Sequence, residues 1–212
     1  MATWIAHMRI AEHFMNIDWQ LNNVDFLVGN IAPDCGVPKD GGGGYVPDRS
    51  ITHWNINNGK GRDSEGFRKK YVKRGSGDFS FYLGYYFHLL TDSAWKYSPL
   101  KGIKIVDSIM ELDEGLTWEE IKRDWYGQDC LFLRDNPGFI FFTAFQHIKD
   151  YPNRFFDFFP RDAFSRQIKN IIKLYAVAEW DTARGFSYLS KSDMDSFVNS
   201  TIFSLENIYQ DI

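Results

Sequence analysis

The chain has 212 residues, 44 % of them apolar and 25 % charged, which suits one globular domain and excludes a disordered or collagen-like chain. Its net charge of -4 argues against a protein that coats nucleic acid or an anionic membrane. The two cysteines, Cys35 and Cys130, lie far apart and outside any CxxC spacing, which rules out a disulfide framework and a cysteine zinc site. The opening MATWIAHMRIAEHF is interrupted by His7, Arg9, Glu12 and His13, unlike the apolar core of a secretory signal. No run approaches the ~18 apolar residues of a membrane span. The expectation is a soluble cytoplasmic chain.

Thr3 to about Leu21 reads as a helix, because Trp4, Ile5, Met8, Ile10, Ala11, Phe14 and Met15 recur at three-to-four spacing, with Thr3 as its cap. VDFLVGNIA, within residues 22–32, reads as a short helix ending before Pro33. Residues 33–62, rich in Gly, Pro and Asn and containing Gly41–Gly44, read as a long loop, of the kind that is usually functional or mobile. Asp63 or Ser64 then caps a charged helix, SEGFRKKYVKR. Phe79 to Trp95 is apolar almost all round and reads as a central buried helix, ended by Ser98–Pro99. Thr117 and Glu120 have capping-box spacing and open a helix to about Leu133. Asn136–Gly138 is a turn, Phe139–Ile148 a short helix, and Ala163–Glu179 and Asp193–Tyr209 are amphipathic helices. Strand-like alternation, repeats and linkers are scarce or absent. The predicted fold is all-α, a single domain over residues 1–212.

Five histidines occur: His7, His13, His53, His88 and His147. His88 and Asp92 stand four residues apart on the central helix; four residues turn a helix by about 400°, so both side chains leave one face. An imidazole and a carboxylate converging from a rigid helix suit a divalent metal, and a buried carboxylate needs a partner or a cation. The pair alone is equally a structural hydrogen bond. His7 on an apolar helix, His53 in a loop and Asp34 after Pro33 each read as core, exposed and turn residues as readily as ligands. His13 lies about 240° round the helix from His7 and faces elsewhere.

The order AHMRIAE, GNIAPD, SITHWNINNGK and FYLGYYFHLLTD resembles the bacterial zinc-dependent phospholipase C family, which is all-helical and related to single-strand-specific nucleases. On that resemblance His7 corresponds to a first-helix histidine and Asp34 to the aspartate of a GxxxxD pattern begun by Gly29. His53 corresponds to the histidine before a loop ending Asn58–Gly59–Lys60, and His88 and Asp92 to the FYLG-led HxxxD helix. It implies zinc, as one or two ions or another divalent metal, held by Asp34, His53, His88 and Asp92, with Asp92 bridging to a second ion also held by His7. Asp34 either ligates the metal or takes the proton of the attacking water. The implied activity is phosphoric-ester hydrolysis, metal-activated water attacking a small-molecule or lipid phosphodiester.

Three departures accompany the resemblance. Family members that bind three zincs begin at a tryptophan whose amino group is a ligand, whereas here Trp4 follows Met1 by three residues. The histidine expected six residues after Asp92 is Ser98, and the later HxxxE pair is absent, since His147 is followed at that spacing by Tyr151. Asp124 and Asp129 are the nearest acidic replacements, but they read better as helix-surface acids. The alternatives are therefore a metal-stabilised binding protein without hydrolase activity, or a nuclease or other phosphodiesterase on the same site. Lys39 with Gly41–Gly44 lacks a P-loop's GK[ST] and reads as a disordered loop or a lid. RFFDFFP, Arg154 to Pro160, reads as core rather than an acyl-chain site, and Lys69–Arg74 as a solvated basic face. Oligomeric state is not legible.

Overall fold

A computed structural model describes residues 1–56, 61–97, 117–177 and 185–212. In chain order its helices are α1 (Trp4–Ile17), α2 (Asn23–Ile31), α3 (Arg49–Thr52), α4 (Ser64–Tyr71), α5 (Phe79–Tyr97), α6 (Trp118–Asp135), α7 (Ile140–Thr143), α8 (Ala163–Val177) and α9 (Lys191–Gln210). Strands are confined, among the described residues, to two hairpins of two-residue strands. The fold is all-α, as the periodicity predicts. No helix among the described residues is long and apolar enough to cross a membrane.

Side-chain caps set where several of these helices begin. Thr3 accepts from the Ala6 amide, Asn22 from Asp25 and Asp63 from Gly66, each satisfying an amide that has no partner inside its helix. Thr117 with Glu120, and Ser190 with Asp193, form reciprocal capping boxes. The first helix is shorter than expected: it stops at Ile17, with the Asp18 amide bonded to the Phe14 carbonyl, and Leu21 belongs to the turn that Asn22 closes. The last begins at Lys191, two residues before the expected Asp193, because Ser190 is its cap. The predicted helix ends at Ser98–Pro99 and Glu179 lie outside the described residues.

The centre of the molecule is the pairing of α2 with α5. Gly29 of α2 faces the backbone of Phe81 and Tyr85; a Cβ there would stand 2.2 Å from the Phe81 carbonyl oxygen. Gly84 of α5 answers it, with a Cβ position 2.3 Å from the Phe26 carbonyl oxygen. The two glycines let the helices approach until backbone touches backbone. Around them lies an aromatic core: Phe81 stacks on Phe155 with centroids 3.6 Å apart, and Phe67 stacks on Tyr85 at 4.7 Å. Phe155, Phe156 and Phe159 of RFFDFFP are buried in it, the core role read from sequence.

Residues 33–62 are not one irregular loop. Ala32–Asp34 is a 3₁₀ turn, and Val37–Pro38 (β1) pairs antiparallel with Tyr45–Val46 (β2). Gly41–Gly44 forms the tip of that hairpin with φ of 81°, 84°, 82° and 137°; consecutive left-handed conformations are why four glycines stand there. Asn55–Ile56 (β3) pairs with Gly61–Arg62 (β4). Two-residue strands have no periodicity to betray them. Lys69, Lys70, Lys73 and Arg74, on α4 and just beyond it, are exposed, as expected of a solvated face.

Candidate metal centre

His88 and Asp92 project from the same face of α5, both fully buried. Close packing at Gly29 and Gly84 brings the C-terminal end of α2 beside His88, whose Nδ1 lies 2.7 Å from the Asn30 carbonyl oxygen. A carbonyl only accepts, so Nδ1 carries the proton and the Nε2 lone pair points the other way. Burial, reinforced by His7 alongside and opposed by Asp92 and Asp34, pushes the His88 pKa down to about 3. The ring is therefore a neutral imidazole at neutral pH, the form that binds metal.

The other residues arrive from three elements. Asp34 ends the 3₁₀ turn that Pro33 forces after α2. His53 follows α3 as its C-cap, with Nδ1 2.9 Å from Thr52 Oγ1. His7, from α1, stacks face to face on His88 with centroids 4.1 Å apart and 2° between planes. His53 Nε2 is 3.3 Å from Asp34 Oδ1 and 3.6 Å from Asp92 Oδ2; His88 Nε2 is 3.7 Å from Asp92 Oδ2, and His7 Nε2 is 3.5 Å from Asp92 Oδ1. Two sets of three donors lie within 4.8 Å of one another: Asp34, His53 and His88, and His7, His88 and Asp92. All five sequence candidates thus fall into two donor sets that share His88, with Asp92 grouped with His7.

The donors are short of partners. His53 Nε2, His88 Nε2, both His7 ring nitrogens and Asp34 Oδ2 are buried without a hydrogen bond. Each such atom costs about 1–3 kcal/mol unless something satisfies it, and several orphans within these two donor sets fit a cation. The donor types, imidazoles with carboxylates, are those of zinc. Burial alone would raise the Asp34 carboxyl, but contact with His53, the imidazole of His88 and the Arg49 guanidinium hold it below the ordinary carboxylate range. Burial is likewise overcome at Asp92, chiefly by His7 and His88, and its carboxyl also stays low. Both are ionised and ready to ligate.

An outer layer holds these groups in place and was not legible as such in the sequence. Arg49 pairs with Asp34. Arg62, brought in by the β3–β4 hairpin, donates to Asp92 Oδ2 at 3.0 Å and to the Leu89 carbonyl at 3.1 Å. The Ala2 amide donates to Asp92 Oδ1 at 2.9 Å, and Tyr85 Oη donates to the Thr52 carbonyl beside His53. Arg49 stands four residues before His53, which is the single hint the spacing offers.

Residues 6–95 match the family model for zinc dependent phospholipase C. The match bears out the resemblance and spans all five candidate ligands. No curated protein and no solved structure matches the chain. The matched stretch runs from the start of α1 to near the end of α5, and residues 96–212 lie outside it. Of the resemblance's other elements, Asn58–Gly59–Lys60 and Ser98 lie outside the described residues. His147 is exposed in a 3₁₀ turn, and His13 pairs with Glu206 at 2.8 Å, away from the centre.

Asp124 and Asp129 are not the surface acids expected. Both are buried, because that face of α6 turns inward against α1 and the segment before α9. Neither joins a donor set among the described residues. Asp124 accepts from the Tyr188 amide at 2.6 Å; Asp129 accepts from Thr3 Oγ1 at 2.7 Å and Tyr175 Oη at 2.6 Å. Burial pushes the Asp129 pKa up to about 7, against those two bonds. A carboxyl that holds its proton more tightly when folded favours the native state at low pH. That advantage disappears as pH rises from the unfolded value near ~4 to about 7, by up to about 1.4 kcal/mol per pH unit. Asp129→Asn removes the titration, so the variant gains about 2–4 kcal/mol on wild type between pH 4 and pH 8. Urea unfolding at the two pH values measures this; metal-site effects are common to both proteins and cancel.

A cleft of about 700 Å³ opens beside the centre, lined among others by Asp34, Arg49 and Thr52 and by Trp118, Lys122 and Tyr126 of α6. Asp34 is the candidate ligand that borders it.

Proposed function

We propose that the protein is a zinc-dependent phosphoric-ester hydrolase of the phospholipase C type, acting on a phosphodiester. The observation that supports this most is the position of Asp34: a buried carboxylate with one unpartnered oxygen, grouped with two imidazoles and bordering a cleft of substrate size. A structural site would be closed on all sides, whereas a catalytic one keeps an open position.

Zinc bound there would supply a Lewis acid and a water of lowered pKa. His53 and His88 offer Nε2 as ligands, His88 fixed in its tautomer by the Asn30 carbonyl. Asp34 and Asp92 add negative charge, and His7 with Asp92 Oδ1 extends the donor set towards α1. Asp34 Oδ2 either completes the ligand set or takes the proton of the attacking water at the cleft wall. Arg49 keeps Asp34 Oδ1 oriented and lines the cleft. The polar, phosphate-bearing end of a lipid, or a smaller phosphodiester, suits this arrangement.

The test starts with metal content after purification without chelator, followed by hydrolysis of lecithin, single-stranded DNA and a p-nitrophenyl phosphodiester. Zinc at stoichiometric level with turnover of one of these is the expected result; a metal-free protein overturns the reading. Strong chelator is expected to lower the melting temperature, since a ligand at about a hundred times its Kd contributes about 2.7 kcal/mol. Zinc retention and chelator sensitivity without turnover of any phosphodiester would instead favour the metal-stabilised binding protein.

A further inference from the structure

The cleft's charge is one-sided. Among the described residues three charged side chains line it: Asp34, Arg49 and Lys122. Asp34 is committed, paired with Arg49 and grouped with the buried imidazoles. Arg49 spends one terminal nitrogen on Asp34, lies with its guanidinium carbon 5.1 Å from the Tyr45 ring centroid, and remains about a third exposed. Lys122 is exposed on α6 and has no carboxylate partner among the described residues. With a divalent cation at the centre, the wall that meets the ligand is cationic at two separate places.

One phosphodiester carries a single negative charge, which the metal centre and Arg49 already answer. Lys122 comes from a different element, α6, and is left over. We propose that the cleft selects a phosphodiester whose organic group carries a second negative charge, the phosphate lying at Arg49 and the second anion at Lys122. The inference rests on the hydrolase reading and names its substrate class. A quaternary ammonium group is the chemical opposite. The aromatic rings of the cleft, Trp118 and Tyr126 among them, offer such a cation some attraction, but the two fixed positive charges oppose it.

The test reads binding rather than turnover. Zinc is first titrated into the protein by calorimetry. The zinc-loaded protein is then titrated with 2-phosphoglycerate, glycerol phosphate and phosphocholine, whose organic parts are anionic, neutral and cationic. The expected order of affinity is the order just given, with 2-phosphoglycerate about tenfold tighter than phosphocholine, a gap that narrows at high salt. Lys122→Gln, at an exposed position that leaves the fold intact, is expected to bring the gap close to one while glycerol phosphate binding stays the same. Arg49→Gln is expected to weaken all three ligands alike. Equal or tighter binding of phosphocholine, or a gap untouched by Lys122→Gln, overturns the proposal and leaves the hydrolase reading standing. Failure of the protein to take up zinc at all overturns both.

Discussion

Gly84→Ala is expected to destabilise the protein by about 3 kcal/mol or more, at the upper end of what overpacking costs. The sign is informative, because alanine is the better helix former by about 1 kcal/mol and propensity alone predicts stabilisation. The added methyl carbon would stand 2.3 Å from the Phe26 carbonyl oxygen and 3.1 Å from the Asn30 amide nitrogen. Both obstacles are backbone, so no rotamer change relieves them; α2 and α5 must separate. Separation acts on the metal centre as well, since it lengthens the 2.7 Å contact between the Asn30 carbonyl and His88 Nδ1. The expected pair of results is a lower urea midpoint and a weaker zinc affinity in the same variant. Gly29→Ala, whose Cβ would meet the Phe81 carbonyl at 2.2 Å, is expected to behave alike. An unchanged midpoint in either variant would mean that the two helices are not in backbone contact.

These glycines show where sequence reading reached and where it stopped. Gly29 and Gly84 are visible within GNIAPD and FYLGYYFH, but a glycine inside a helix pattern looks the same whether it marks a weak point or a close approach. Three helix starts were legible because caps are local: Thr3, Asp63 and the Thr117–Glu120 pair act within three residues of themselves, while the Asn22 and Ser190 caps were not read. The hairpins inside residues 33–62 were not, since pairing of two residues with two leaves no pattern. His88 and Asp92 could be placed on one helix face by arithmetic, whereas His7, Asp34 and His53 needed the family resemblance, because nothing local says that three separate elements converge. Arg49 and Arg62 escaped both routes. Asp124 and Asp129 looked like ordinary solvent-facing acids, and the donors that satisfy them, Thr3, Tyr175 and the Tyr188 amide, lie 46 to 126 residues away.

His88→Ala is expected to remove metal binding altogether, because His88 belongs to both sets of donors. Its Nδ1 is occupied by the Asn30 carbonyl, so Nε2 is its single free donor and serves whichever ion is bound. Loss of an outer partner of a metal ligand typically costs 10–100-fold in affinity or activity; loss of the shared ligand is expected to exceed roughly a hundredfold. His7→Ala provides the contrast. It takes a donor from one set and leaves Asp34, His53 and His88 intact, so that variant is expected to retain one zinc. Truncating His88 also leaves the Asn30 carbonyl unsatisfied and opens a cavity, which destabilises whether or not metal is present. Melting both proteins in chelator measures that packing loss by itself. Melting them in zinc then isolates the metal contribution, expected to raise the wild type and leave His88→Ala where it was. A His88→Ala protein that still gains stability from zinc would mean that the ion is held without the α5 imidazole, and the centre would have to be rebuilt around other residues.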